Sequence, residues 1–183
     1  MQVYIVHGYT ARPNDHWFPW LQERLAADGI DVAVLPMPDP DQPVAQAWDA
    51  FLATHAARRD SDIFFVAHSL GCIAVVRHLL KTGAACGGML LVAGFAEPVP
   101  GLEELDGFVT GVDGIEGLRE TVGERVVIAA RDDEAVPFDA TRRLAEKLDA
   151  RFIPLERGGH FLGREGFTEF PLVYEQLLAM LNR

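Results

Sequence analysis

The chain has 183 residues, 49% of them hydrophobic, and a formal net charge of −11. That length is close to the usual prior of roughly 150 residues per domain, so residues 1–183 are expected to form one domain with no separate cap. The acidic balance, without a Lys/Arg cluster, excludes nucleic acid as a partner, because phosphate binding needs a basic surface.

Val3 to Val6 is a short continuous apolar run ending in His7-Gly8-Tyr9, the pattern of a strand buried on both faces that leads into a loop. Pro19 falls in the first turn of a helix in which Leu21 and Leu25 lie one turn apart, with Gly29 as its stop. Asp31 to Leu35 reads as a second strand. Pro36, Pro38, Pro40 and Pro43 stiffen the connection to a helix whose apolar face is Val44, Ala47, Trp48, Phe51 and Leu52. Ile63 to Val66 is a third strand, and the segment from Leu70 to Leu80, apolar on nearly every side, is expected to be a buried central helix.

Gly88 to Ala93 is a fourth strand. About thirty residues of weak periodicity follow, to Gly123, containing Pro98, Pro100 and, before that last glycine, six others, with a short helix possible over Leu102 to Val109. Loops of that length are commonly functional, but this one is too short for a lid domain, so a shallow, fairly open pocket is expected. Arg125 to Ala130 is a fifth strand, Asp139 caps the next helix, and Arg151 to Leu155 is a last strand that Pro154 confines to an edge. A terminal helix runs from about Glu169, with Pro171 in its first turn, to Leu181. Strands alternating with helices imply an α/β fold: a three-layer sandwich with a six-stranded parallel sheet and helices on both faces. Ligands bind such sheets at the carboxyl ends of the strands.

The break between the third strand and the central helix is the most informative stretch. At Ala67-His68-Ser69-Leu70-Gly71 a serine sits on the tip of a strand-to-helix turn, with small residues two before and two after it. The Leu70 N–H, at the start of the helix, would face the same space and could donate to a developing oxyanion. The plain alternative is an ordinary helix-capping serine. A serine hydroxyl needs a base to take its proton, and histidine suits that task. Of six histidines, His160 is the strongest candidate because it follows the last strand in a Gly-Gly turn. His7 and His68 are rivals by position, although His7 better suits bracing its loop and His68 should point away from Ser69. An orienting carboxylate is available after the fifth strand in Asp133, with Asp132 as the alternative. The order Ser, Asp, His is that of α/β-hydrolases.

Taken together, His7-Gly8-Tyr9, His16-Trp17-Phe18-Pro19-Trp20-Leu21, Met37-Pro38-Asp39-Pro40, Ala67 to Gly71, Asp132-Asp133 with Val136-Pro137, and Gly159-His160-Phe161 span almost the whole chain. With them the chain resembles an α/β-hydrolase, and more closely the small serine hydrolases of the retinoblastoma-binding-protein-nine and YdeN-like family. The resemblance implies a trimmed hydrolase sheet of order 2-1-3-4-5-6. It also implies Ser69 as nucleophile, His160 as base, Asp133 as orienting acid, and Tyr9 with Leu70 as oxyanion donors. The activity implied is carboxylesterase-like cleavage of a small ester, thioester or amide through an acyl-enzyme. A catalytically idle protein-binding module on the same fold is the alternative.

Ala67 departs from the first glycine of the general turn motif. The retinoblastoma-binding L-x-C-x-E pattern is absent, since Ala74 stands where Glu is needed after Leu70 and Cys72. Trp17, Trp20, Phe95 and Phe161 flank the proposed edge and are expected to form an apolar substrate pocket. No cofactor or metal is expected, because Cys72 and Cys86 form neither a C-x-x-C pair nor a spaced metal set. Met1 to His7 lacks a basic leader, no apolar run approaches the ~20 residues of a membrane span, and buried thiols suit a reducing compartment. A cytoplasmic monomer or homodimer acting on a small acyl substrate, without a membrane partner, is expected.

Overall fold

Strand β1 (Gln2–Val6) is apolar at odd and even positions alike, so it requires cover on both faces. In the computed structural model, which describes residues 1–57 and 60–182, that cover comes from neighbours on each side and a layer of helices above and below. β1 lies between β2 (Asp31–Leu35) and β3 (Ile63–His68). β4 (Cys86–Val92), β5 (Val122–Ala130) and β6 (Arg151–Leu155) follow outward, giving the order β2-β1-β3-β4-β5-β6 with every pairing parallel. The strand order implied by the resemblance is therefore the one observed, and β6, which carries Pro154, is an edge strand.

Alternate residues of each central strand feed two separate cores. Val3, Ile5, Phe64, Val66, Leu90 and Ile128 pack with α1 (Phe18–Ala27) and α6 (Pro171–Leu181). Tyr4, Val6, Phe65, Ala67, Leu91 and Val127 pack on the other face with α2 (Ala45–His55) and α3 (Leu70–Thr82). Every residue of α3 from Leu70 to Leu79 is buried, as its all-round apolar pattern requires. Among the described residues no helix is long and apolar enough to cross a membrane.

The stretch between β4 and β5 forms a 3-10 turn (Glu103–Leu105), a single helical turn α4 (Asp106–Val109) and a second 3-10 segment (Ile115–Glu120). Buried Arg77 of α3 ties it down by donating from Nη1 to the Phe108 and Thr110 carbonyls at 3.0 and 2.7 Å. The rest of the guanidinium pairs with Asp49 of α2 at 3.1 and 2.7 Å. Burial pushes the Asp49 carboxyl up, but Arg77 and Lys81 outweigh it and hold the group below its usual range.

Element boundaries differ from the sequence reading where hydrogen bonding outruns hydrophobicity. β4 and β5 begin earlier than their apolar runs because Cys86 pairs with Val122 and Gly88 with Glu124. The helix after β5, α5 (Phe138–Lys147), is not capped by Asp139: Pro137 occupies the cap position, and Asp139 lies in the first turn, where it accepts from Arg142 at 3.1 Å. α6 begins at Pro171, whose fixed φ suits a first helical position, and not at Glu169.

Candidate active site

β3 ends at His68 and α3 begins at Leu70, so one residue, Ser69, must reverse the chain. It does so at φ 53° and ψ −123°, a conformation that costs a non-glycine residue on the order of 1–3 kcal/mol. The surroundings impose it: the Ser69 N–H donates to the Val92 carbonyl of β4 at 2.8 Å, and its carbonyl accepts from Cys72 at 3.0 Å. Small residues admit this turn. A Cβ on Gly71 would stand 2.4 Å from the Val6 carbonyl oxygen and 2.6 Å from that of His7, and one on Gly8 would stand 2.9 Å from the Ser69 Cβ. Although Ser69 occupies the cap position of α3, its hydroxyl makes no capping hydrogen bond, which removes the ordinary reading of such a serine.

The loop after β6 is organised by acids. Asp132 Oδ1 accepts from Gly158 and Gly159, both at 2.8 Å, and these amides hold its carboxyl below the usual range. Glu165 Oε2 accepts from His160 and Leu162 at 3.0 and 2.9 Å. Asp133 takes the side chain: its Oδ2 lies 2.8 Å from His160 Nδ1, while its Oδ1 accepts from Ala135 and Val136 at 2.8 and 3.0 Å. The Asp133 side chain is only 2% exposed. With Nδ1–H donated to the carboxylate, the lone pair of His160 is on Nε2. The two adjacent acids thus divide the work on the His160 loop, Asp132 holding its backbone and Asp133 its ring.

Three further histidines surround this pair. His7 is fully buried; its Nδ1–H donates to the Gly8 carbonyl at 2.9 Å and its Nε2 accepts from Met37 at 3.1 Å, so it braces the loop after β1. His68 donates from Nε2 to the His160 carbonyl at 2.8 Å, and its ring lies 4.9 Å from that of His160. It grips the backbone of the neighbouring loop, a role no local pattern reveals, and borders the same cleft as Ser69. His16, at φ 55°, accepts from the Gly163 N–H on Nδ1 at 3.0 Å. Burial lowers the proton affinity of all three, most strongly at His68.

Ser69 and His160 face one cleft of about 400 Å³, within the usual range for small-molecule sites. No hydrogen bond joins the two side chains among the described residues; such nucleophile–base contacts commonly tighten only with substrate in place. Tyr9, Leu102 and Leu105 line one side, and Asp15, His16, Leu162 and Arg164 also border it. Neither the Tyr9 nor the Leu70 N–H donates to a protein acceptor among the described residues.

The four aromatic residues expected in the pocket lie elsewhere. Trp17 and Phe161 are fully buried in the α1/α6 core, Phe161 at φ 59° stacking on Phe170 at 5.1 Å. Phe95 is buried in the opposite core, and Trp20 packs outward against Tyr174. Their bulk fills the layers below the cleft. The segment after β4, where a short helix over Leu102 to Val109 is expected and helical turns over Glu103–Leu105 and Asp106–Val109 are found, provides apolar wall through Leu102 and Leu105. Among the described residues no group of three or more His, Cys, Asp or Glu is arranged to hold a metal ion.

Known proteins resemble this chain in sequence and in fold. A family model for serine hydrolases matches residues 3–179. YdeN of Bacillus subtilis is 42% identical over the whole of this chain and 97% of its own length. Its crystal structure superposes with a TM-score of 0.96, covering 100% of this chain and 99% of that one at 43% identity. The serine hydrolase RBBP9 of Rattus norvegicus is 24% identical over 89% of this chain and 87% of its own. Est1E from Butyrivibrio proteoclasticus, at 16% identity, shares the fold with a TM-score of 0.74 over 100% of this chain and 88% of its own. The chain belongs to the serine hydrolase family, and it is a hydrolase of the α/β type.

Proposed function

We propose that this hydrolase cleaves small carboxylic esters, and by the same route thioesters or amides, through an acyl-enzyme on Ser69. The observation that carries the reading is the buried Asp133 carboxylate 2.8 Å from His160 Nδ1, which leaves the Nε2 lone pair to act in the cleft that holds the strained serine. In this mechanism His160 Nε2 takes the Ser69 proton as Oγ attacks the substrate carbonyl. Asp133 stabilises the imidazolium that forms and keeps the ring in the productive tautomer. The Tyr9 and Leu70 N–H groups receive the oxyanion; one such donor is typically worth about 10² to 10³ in rate. The imidazolium then protonates the leaving group, and water, deprotonated by the same nitrogen, releases the acid.

Labelling with a fluorophosphonate, followed by peptide mapping, tests the assignment. An adduct on Ser69 and turnover of p-nitrophenyl butyrate that disappears in Ser69→Ala are expected. A folded wild-type protein that neither labels nor turns over would overturn the proposal in favour of an idle binding module.

A further inference from the structure

The cleft beside Ser69 is not uniform. Tyr9, Leu102 and Leu105 come from the α2/α3 side of the sheet, Leu105 lying within that core and the other two packed against it. His16 and Arg164 come from the side where His68 and His160 meet: the His68 ring lies 5.9 Å from His16 and 4.9 Å from His160. Gly163, three residues after His160, is hydrogen-bonded to His16. The cleft therefore has an apolar wall on the α2/α3 side, and on the His160 side it carries the polar groups His16, Asp15 and Arg164 beside Leu162 and Ala135.

The tautomer of His16 follows from a single bond. A backbone N–H can only donate, so the 3.0 Å contact from Gly163 makes His16 Nδ1 an acceptor and puts the ring proton on Nε2. Burial favours the neutral ring. Nε2–H has no acceptor among the described residues, although the ring borders the cleft. A left-handed backbone at φ 55°, uncommon for a non-glycine residue, presents this donor. A ring so constrained is a fixed, neutral hydrogen-bond donor. In the proposed mechanism, His160 must deliver its proton to the leaving atom, so the leaving group lies on the His160 side and the acyl chain on the other.

We infer that His16 Nε2–H reads a neutral acceptor oxygen on the leaving group, so that the preferred substrates are esters of an apolar acid with a polar, hydroxyl-bearing alcohol. This inference rests on the acyl-enzyme reading and names its substrate class. Asp15 and Arg164, of opposite charge, both border the cleft and both act on His16, so this end carries no net charge that would select an anionic leaving group over a neutral one.

The test compares two butyrates of nearly equal shape, n-propyl and 2-hydroxyethyl butyrate, with carboxymethyl butyrate as an anionic third. Wild-type kcat/KM should favour the hydroxyethyl ester by about five- to tenfold, the scale of one neutral hydrogen bond. His16→Phe should bring the ratio close to one. His16→Asn, which tolerates the left-handed backbone and keeps both a donor and an acceptor, should restore part of the preference. Should the Phe variant fail to fold, His16→Gly removes the ring without backbone strain and serves in its place. A wild-type ratio near one, an equal loss for both esters in the variants, or a preference for the carboxymethyl ester would overturn the inference. Failure of the underlying reading is distinguishable, because neither ester would then turn over and Ser69 would not label.

Discussion

Gly71→Ala sets two magnitudes against each other. Alanine is favoured over glycine within a helix by about 1 kcal/mol, so propensity alone would stabilise α3. The new methyl, however, would stand 2.4 Å from the Val6 carbonyl oxygen and 2.6 Å from that of His7. These are backbone atoms of β1 and its exit, and they cannot rotate aside. Restoring an ordinary contact near 3.4 Å requires the amino end of α3 to move about 1 Å from the sheet. Overpacking of this kind costs typically 1–3 kcal/mol; net of the propensity gain about 0–2 kcal/mol remains, so at roughly 2–4 °C per kcal/mol Tm should fall by up to about 8 °C. The same displacement carries Ser69 and the Leu70 N–H with it, and a misplacement of 1 Å is worth about 10² in rate. The measurements are kcat/KM on p-nitrophenyl butyrate and the thermal midpoint. Gly107→Ala in α4, where a Cβ meets nothing within 4 Å, is the control and should leave both unchanged or raise Tm slightly. A Gly71→Ala protein with wild-type rate and midpoint would refute the argument that close approach of helix and strand positions the nucleophile.

Asp133→Asn keeps an acceptor for the Ala135 and Val136 amides but turns an amide donor toward His160 Nδ1. It should lower kcat by about 10³ to 10⁴ by favouring the wrong tautomer while leaving the melting curve close to wild type; a loss below tenfold would remove Asp133 from the mechanism. Glu165→Ala strips the acceptor from the His160 and Leu162 amides. Leaving such donors unsatisfied costs about 1–3 kcal/mol, seen as a lower urea midpoint, with Glu165→Gln retaining most of the stability. His7, His16 and His68 all have lowered proton affinity in the fold, so below about pH 6.5 the unfolded chain binds protons that the native protein does not. Stability is then fully present above that pH and falls as pH decreases through the window beneath it, by up to about 1.4 kcal/mol per pH unit for the fully buried His68 and by less for the half-exposed His16, where solvent screens the charge. Urea midpoints from pH 7.5 to 5.5 should decline, less steeply in His68→Phe; a flat profile would contradict the neutral burial of these rings.

Much of this architecture is readable from local pattern because parallel strands buried on both faces have few compositional disguises. Val3 to Val6 and Ile63 to Val66 are apolar without interruption, and the loops after them hold the polar residues that meet at the carboxyl edge. Boundaries are less legible where glycine or polar residues join the ladder, as at Gly88 opposite Glu124. Asp139 was legible as a helix-start residue but not its register, since Pro137 is compatible with the cap position as well. The aromatic residues failed as pocket markers for a related reason. Proximity to the site in sequence says nothing about which side of a strained residue a ring falls on, and Phe161, one residue from His160, turns at φ 59° into the core.

The residues that hold the base are the least visible of all, because their partners are backbone atoms on distant loops. His68 acts on the His160 carbonyl from 92 positions away, and His16 on the Gly163 amide from 147. Asp132, Glu165 and His16 together accept from the amides of Gly158, Gly159, His160, Leu162 and Gly163. A loop rich in glycine would lose considerable conformational entropy on ordering, and five hydrogen bonds to three side-chain acceptors oppose that loss where the imidazole must be placed to within a fraction of an ångström. On this argument the glycines admit the turn, the acids and His16 fix it, and Asp133, held by the Ala135 and Val136 amides through Oδ1, keeps Oδ2 for the ring. A base suspended from so flexible a sequence is rigid because its neighbours' amides are claimed.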